Sequence, residues 1–182
     1  MAKAVECPDC GDPGGDFDSL WREQYPRMVA FAAAAGVGRD TARDLAQEIL
    51  VKVHRGMPSF DRSRSLRTWM YAIARNHVRD WLRRESRRTR RETPLHPDRE
   101  LPDAVSKSPP ESLAESELRR MVADYVDGLP ARRREVAYLR FYEDLPYAEI
   151  ASIVGLREGT VKYEVHEIRE GLRAHLEEQH GE

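Results

Sequence analysis

The chain has 182 residues, of which 34% are charged and 40% are hydrophobic, so we expect a soluble protein of one ordinary domain or two small ones. The formal net charge of −2, taken alone, argues against nucleic-acid binding. That charge is unevenly distributed, because residues 62–91 carry about +9, residues 1–20 about −4 and residues 92–128 about −5. A polyanion responds to the local field more than to the total, so nucleic acid stays a candidate ligand.

The N-terminal residues and the cysteines indicate location and chemistry. No apolar run approaches the roughly 18 residues that cross a bilayer, and the acidic N-terminus lacks the blocks of a signal peptide. We therefore expect a cytoplasmic protein that does not insert into a membrane. Cys7 and Cys10 form a single Cys-x-x-Cys, half of a zinc ribbon without its second ligand pair. A stray pair in a tail is the favoured interpretation, with a redox or metal switch as the alternative, and no cofactor is expected.

Helical periodicity dominates the chain, and no segment alternates convincingly as a strand. The pattern predicts an all-α protein with two small helical domains joined by a flexible linker. The expected divisions are a flexible tail over 1–15, a first domain over 16–91, a Pro-rich linker over 92–111 and a second domain over 112–178.

Three amphipathic helices are predicted in the first domain. The expected boundaries are Asp16 or Asp18 to Gly36, Asp40 to Gly56, and Leu66 to Arg91. Trp69 and Trp81 fall on the apolar side of the third helix, and we assign them mainly to the core.

A helix-turn-helix is predicted in the second domain, between Ala148 and Leu172. A short apolar helix leads to Gly155, which can take the left-handed conformation that ends a helix. Thr160 can cap the helix that follows. A plain helical hairpin is the alternative interpretation.

Six short strings carry a family resemblance. In chain order they are Asp44–Glu48, Met57–Phe60, Leu66–Asn76, Leu129–Val136, Leu145–Ala151 and Gly159–Lys162. Their order, their spacing and the linker between them resemble the extracytoplasmic-function sigma factors, promoter-recognition subunits of bacterial RNA polymerase. The resemblance covers roughly residues 17–91 and 113–176.

The resemblance implies that the first domain is sigma region 2, which docks on the clamp helices of the polymerase β′ subunit and opens the minus-ten element. It places the docking residues at Asp44, Gln47 and Glu48. An ordinary solvated helix face is the alternative for these three. The resemblance also places minus-ten contacts at Phe60 and Asn76. A phenyl ring can stack on a base, and a carboxamide can form hydrogen bonds with a base edge. The alternatives are a core anchor for Phe60 and a solvated helix position for Asn76.

The arginines of the third helix are the strongest signal from the residues alone. Those assigned to minus-ten DNA are Arg75, Arg79, Arg83, Arg84, Arg87 and Arg88. They lie on adjacent turns, and binding of their charges to phosphates would release counterions. Solubility is a poor explanation for so many arginines, because like charges along a helix repel one another and destabilise it. An acidic protein or RNA is the competing ligand.

The second domain resembles sigma region 4, which reads the minus-35 element and rests on the β flap. The positions implied are Arg157, Thr160, Lys162, Tyr163 and His166. Similar proteins continue after Lys162 with serine and several arginines, whereas residues 160–170 of this chain carry about −1. Because carboxylates are repelled by phosphates, we expect weak autonomous DNA binding by residues 112–182.

The resulting hypothesis is a promoter-specificity factor that binds core RNA polymerase and promoter DNA and is controlled by an anti-sigma factor. No Ser/His/Asp, P-loop or carboxylate-pair arrangement points to an enzyme. Two alternatives remain. One is a sigma-like mimic that sequesters an anti-sigma protein, and the other is a free-standing helix-turn-helix regulator.

Overall fold

The computed structural model describes residues 17–89 and 113–180, and over those ranges the chain forms helices and turns without a strand. The helices are α1 Phe17–Ala34, α2 Arg39–Gly56, α3 Leu66–Thr89, α4 Leu113–Gly128, α5 Ala131–Ala137, α6 Tyr147–Val154 and α7 Glu158–His180. They form two compact units, α1–α3 and α4–α7. The predicted all-helical fold with two domains is confirmed. The predicted tail over 1–15, with Cys7 and Cys10, and the linker over 92–111 lie outside the described residues.

The first unit is built on the apolar side of α2. Leu45, Ile49 and Val53 recur at helical spacing and are buried, as the periodicity predicts. Phe31 of α1 meets Tyr71 of α3 edge to face, with ring centroids 5.3 Å apart. This packing fixes which sides of α2 and α3 face outward.

Trp69 and Trp81 are half-buried, so their assignment to the core was wrong in degree. The indole of Trp69 lies against Phe60, with ring centroids 4.9 Å apart. It also lies against Gly56, where an added Cβ would come within 2.9 Å of the ring. Gly56 thus ends α2 and leaves the space that the indole fills.

The second unit contains the predicted helix-turn-helix as α6 and α7. Ile150, Val161 and Val165 are buried between its helices. Gly155 takes the left-handed conformation, with φ 66° and ψ 40°, as predicted. Thr160 is not the cap, because α7 begins two residues earlier and the Thr160 amide donates to the Arg157 carbonyl at 2.9 Å. The sequence alone misplaced this helix start because Thr is a stronger cap signal than Arg.

A π-helical turn, Tyr138–Tyr142, precedes α6 and was not predicted. Glu143 follows it with only 1% of its surface exposed, and it accepts a hydrogen bond from the Tyr138 hydroxyl at 3.1 Å. Arg140 donates to the Asp144 carboxylate at 2.7 Å and to the Leu145 carbonyl at 3.2 Å. These bonds hold the segment that leads into the helix-turn-helix.

Replacing Gly171 by alanine is expected to destabilise the second unit by about 1 kcal/mol, even though alanine is the better helix former. An added Cβ at Gly171 would collide with the Tyr125 hydroxyl. Removing that hydroxyl with Tyr125→Phe should lower this cost, while the ring carbon Cζ, 3.1 Å from the added Cβ, still opposes the substitution. Urea unfolding of the four proteins measures this. Gly159→Ala, which meets nothing within 4 Å, is the control, and an unchanged cost with Tyr125→Phe would contradict the collision.

Candidate nucleic-acid interface

Asp44, Gln47 and Glu48 project from one side of α2, which we call the α2 face. All three are exposed, and their spacing of three and four residues places them on adjacent turns. Val51 continues the same side and is 38% exposed, the only apolar residue among its exposed neighbours on α2. The three residues predicted from the family resemblance therefore share one accessible surface.

Glu48 is linked to α3 through a histidine that the sequence analysis did not single out. His77 is 5% exposed, and its Nε2 lies 2.7 Å from Oε2 of Glu48. Its Nδ1 lies 2.7 Å from Nζ of Lys52. An ammonium only donates and a carboxylate only accepts, so Lys52 donates to Nδ1 while Nε2–H donates to Glu48. The geometry therefore fixes His77 as the neutral Nε2–H tautomer.

The surroundings of His77 favour this neutral form. Its pKa lies below the ordinary value of 6.5, chiefly because burial disfavours the charged ring and because the Lys52 ammonium repels a second positive charge. The bond to Glu48 opposes this shift, and the charge of Arg84 adds to it. Protonation would place a proton on Nδ1, directly against Lys52.

Acidification from about pH 7.5 to about pH 5 is therefore expected to lower the free energy of unfolding through His77. The unfolded chain takes up this proton near 6.5 and the folded chain only at lower pH. In the window between the two values the unfolded state binds more protons, so stability falls as the pH falls. Urea unfolding of the full chain at several pH values measures the effect. The substitution His77→Gln should reduce the pH dependence of the free energy of unfolding, whereas His166→Gln, at an exposed histidine, should leave that dependence as it is. Identical pH dependence for wild type and His77→Gln would exclude a contribution from His77.

Four predicted DNA-binding residues form a line along α3, which we call the α3 stripe: Asn76, Arg79, Arg83 and Arg87. All four are exposed. At 100° per residue they fall within about 80° of the helix circumference. Over residues 17–89 and 113–180, the three arginines of the stripe make no hydrogen bond or ion pair with the protein. The stripe thus presents one amide and three unengaged guanidinium groups on a single side.

The other arginines of α3 differ from the stripe. Arg84 donates to the carbonyl of Asp80 at 3.3 Å, and Arg88 pairs with Glu85 at 2.8 Å. Both lie on the adjoining face of the helix. Arg75 is 8% exposed, so its predicted place on an exposed ridge was wrong. Burial follows from its position on the inner side of α3, which a count of arginines does not reveal.

Phe60 and Trp69 stand at the beginning of the stripe. Phe60 is half-buried and packs on Trp69, so it anchors the loop while part of its ring stays accessible. Trp69 precedes Asn76 by seven residues and lies on the same side of α3. Both interpretations of Phe60, core anchor and base contact, are compatible with this position.

The predicted minus-35 residues lie at the start of α7. Arg157, Lys162, Tyr163 and His166 are exposed, and Thr160 is half-buried. Lys162 pairs with Glu158 at 2.7 Å, and its Nζ lies 5.8 Å from the centroid of the Tyr147 ring. Tyr163 is 58% exposed, which leaves its ring available to a ligand.

Glu164, one of three glutamates between residues 160 and 170, is turned toward α5. It accepts a hydrogen bond from Nε of Arg133 at 2.6 Å and lies 3.8 Å from Arg132. Its side chain is only 15% exposed. The local charge count therefore overstated the negative charge that α7 offers to a ligand. The signal for this pairing was the run of arginines at the start of α5.

Neither of the described ranges contains a helix whose length and apolar content would suffice to cross a membrane. No cluster of three or more His, Cys, Asp or Glu side chains that could hold a metal ion occurs in residues 17–89 or 113–180.

Comparison with known proteins gives two matches to family models, Sigma-70 region 2 over residues 20–88 and Sigma-70, region 4 over residues 119–172. The ECF RNA polymerase sigma-E factor of Haemophilus influenzae is 32% identical over 157 residues, which are 84% of this chain and 83% of that protein. RNA polymerase sigma factor YlaC of Bacillus subtilis is 27% identical, over 87% of this chain and 91% of its own.

A solved structure is similar over most of the chain. The sigma factor RpoE of Bartonella quintana, in complex with the anti-sigma factor NepR, has a TM-score of 0.68 and 25% identity over 89% of this chain and 97% of that one. CnrH, in complex with the cytosolic domain of CnrY, shares the fold with a TM-score of 0.57 at 21% identity, over 90% and 91% of the two chains. With both region models in the predicted order and a relative matched over most of both chains, this chain belongs to the extracytoplasmic-function (ECF) sigma factor family, whose members bind core RNA polymerase and direct it to promoters.

Proposed function

We propose that the chain binds core RNA polymerase through the α2 face and holds the opened minus-ten element along the α3 stripe. It acts in the cytoplasm as a regulatory subunit without a catalytic activity of its own. The observation that carries the DNA assignment is the division among the α3 arginines. Arg79, Arg83 and Arg87 are exposed and have no partner in the described part of the chain, whereas Arg84 and Arg88 are engaged by the helix itself.

The α3 stripe has the chemistry that a separated strand requires. Exposed guanidinium groups one turn apart neutralise phosphates and release their counterions. Asn76 can donate to and accept from a base edge, and the aromatic pair of Phe60 and Trp69 offers a stacking surface at the same end. Phosphate contacts would therefore position the strand, and Asn76 with Phe60 would read a base turned out of the stack.

The second unit contributes minus-35 recognition through the start of α7, while the same unit rests on the β flap. Lys162, Tyr163 and His166 are exposed where a recognition helix enters the major groove. Arg157 lies just before the helix, beside the amide groups that can face a phosphate. Since Glu164 is paired with Arg133, its carboxylate does not stand among these readers.

Control by an anti-sigma protein completes the proposal. The similar sigma factor RpoE was solved with its anti-sigma factor bound. In this chain a partner that covered the α2 face or the α3 stripe would block polymerase or DNA. The alternative of a sequestering mimic rested on the acidic recognition helix, and the pairing with Arg133 withdraws one of its three carboxylates, that of Glu164, from the exposed surface. Family membership sets aside a free-standing regulator.

Association with core polymerase tests the α2 face. We expect replacement of Asp44, Gln47 and Glu48 together by alanine to weaken binding about 10-fold, because a few central residues dominate an interface. Fluorescence anisotropy of the labelled full chain titrated with core enzyme measures this. A matched control removes two acids and one amide elsewhere, with alanine at the exposed Glu177, Glu178 and Gln179. Equal affinities of the two triple variants would refute the docking assignment.

A further inference from the structure

One cluster adds two residues, Lys52 and His77, to the side of Glu48 on the α2 face. Glu48 and Lys52 are exposed residues one turn apart on α2, and the buried ring of His77 reaches out from α3 between their charged groups. Both contacts of the ring are 2.7 Å long. The cluster thus joins the α2 face to the helix that carries the stripe.

The imidazole ring of His77 separates two side chains that would otherwise form an ion pair with each other. A glutamate four residues before a lysine is the favourable arrangement for a direct ion pair along a helix. Here each charge instead bonds a different nitrogen of one neutral imidazole, and the side chain of Glu48 remains 59% exposed. The imidazole therefore keeps the carboxylate and the ammonium apart and leaves both accessible to a partner.

We infer that His77 is a positioning residue that presents Glu48 and Lys52 as two separate charges to core polymerase, which adds Lys52 to the docking surface. This rests on the proposed role of the α2 face. The matching surface on the polymerase would offer one basic and one acidic side chain, spaced by about one helical turn, or roughly 6 Å. A partner with a single charge would satisfy only half of the pair.

Two substitutions of His77 separate positioning from general folding. Glutamine can donate to Glu48 and accept from Lys52 as the imidazole does, whereas leucine fills the space without either bond. With the full chain, we expect His77→Leu to weaken binding to core polymerase about 10-fold and His77→Gln to stay within about 2-fold of wild type. His54→Gln, an exposed histidine about 120° around α2 from Glu48, is the matched control.

A background without the two charges completes the test. In a chain carrying Glu48→Gln and Lys52→Met, the further change His77→Leu should cost no additional affinity, because the residue acts through those groups. An equal loss in both backgrounds would overturn the inference in favour of a structural role. So would wild-type affinity for His77→Leu with circular dichroism showing an intact fold. Failure of the alanine triple at Asp44, Gln47 and Glu48 to weaken binding would instead overturn the proposed docking face.

Discussion

We expect the replacement of Arg79, Arg83 and Arg87 together by alanine to weaken promoter binding about 100-fold at physiological salt. The binding measured is that of a promoter fragment to the complex of the full chain and core polymerase. The slope of log K against log salt concentration should become shallower by about 2, since each lost phosphate contact removes roughly 0.7 to 0.9. The reason is that these three guanidinium groups are exposed and unengaged within residues 17–89 and 113–180. Binding measured at four or more salt concentrations gives both quantities.

The matched control for this prediction is the double variant Arg84→Ala with Arg88→Ala. These arginines belong to the same helix and carry the same charge, yet they bond Asp80 and Glu85. We expect the slope to change by less than about 0.5. If the double variant flattened the salt dependence as much per arginine as the triple variant, the α3 stripe would have no special role.

Glu164→Ala is expected to destabilise the second unit by about 2 kcal/mol. The carboxylate is largely buried at 2.6 Å from Arg133 and 3.8 Å from Arg132, and its loss removes a counter-charge that the two arginines share. Thermal unfolding of the full chain, followed by circular dichroism, measures the change.

Glu170→Ala is the control for Glu164, because that carboxylate is 49% exposed and lies 3.3 Å from Arg173. Its removal should cost less than about 0.5 kcal/mol, as exposed pairs usually do. Exchanging the charges, with Glu164→Arg and Arg133→Glu in one chain, should recover part of the lost stability. Equal costs at the two glutamates would show that Glu164 is an ordinary surface residue.

The helical fold could be predicted because the sequence repeats its core at helical spacing. In α2, the helical repeat of Leu45, Ile49 and Val53 specifies the buried side. The α2 face therefore lies on the opposite, exposed side. Gly155 could be predicted as the turn because few residues other than glycine take its left-handed conformation. The π-helical turn before α6 has no such local signature, and periodicity passed over it.

The sequence predicted which residues belong to the candidate sites, but not which other residues of the chain they bond to. A line of arginines in the sequence does not distinguish Arg83, which is unengaged in the described chain, from Arg88, which Glu85 binds. The role of His77 could not be predicted, because it depends on contacts with Lys52 and Glu48 of another helix. The same holds for Glu164, whose charge seemed to oppose DNA until Arg133 was seen to bind it. Tertiary contacts decide each of these cases.

Gly56 has a consequence for the way the first unit can deform. The end of α2 and the Trp69 indole fill adjoining space so closely that no side chain fits between them, and Phe60 packs on the same indole. A tilt of α2 on a protein partner would therefore displace the indole and the ring packed on it. The proposed polymerase-binding face and the proposed base-contact site would then be displaced together.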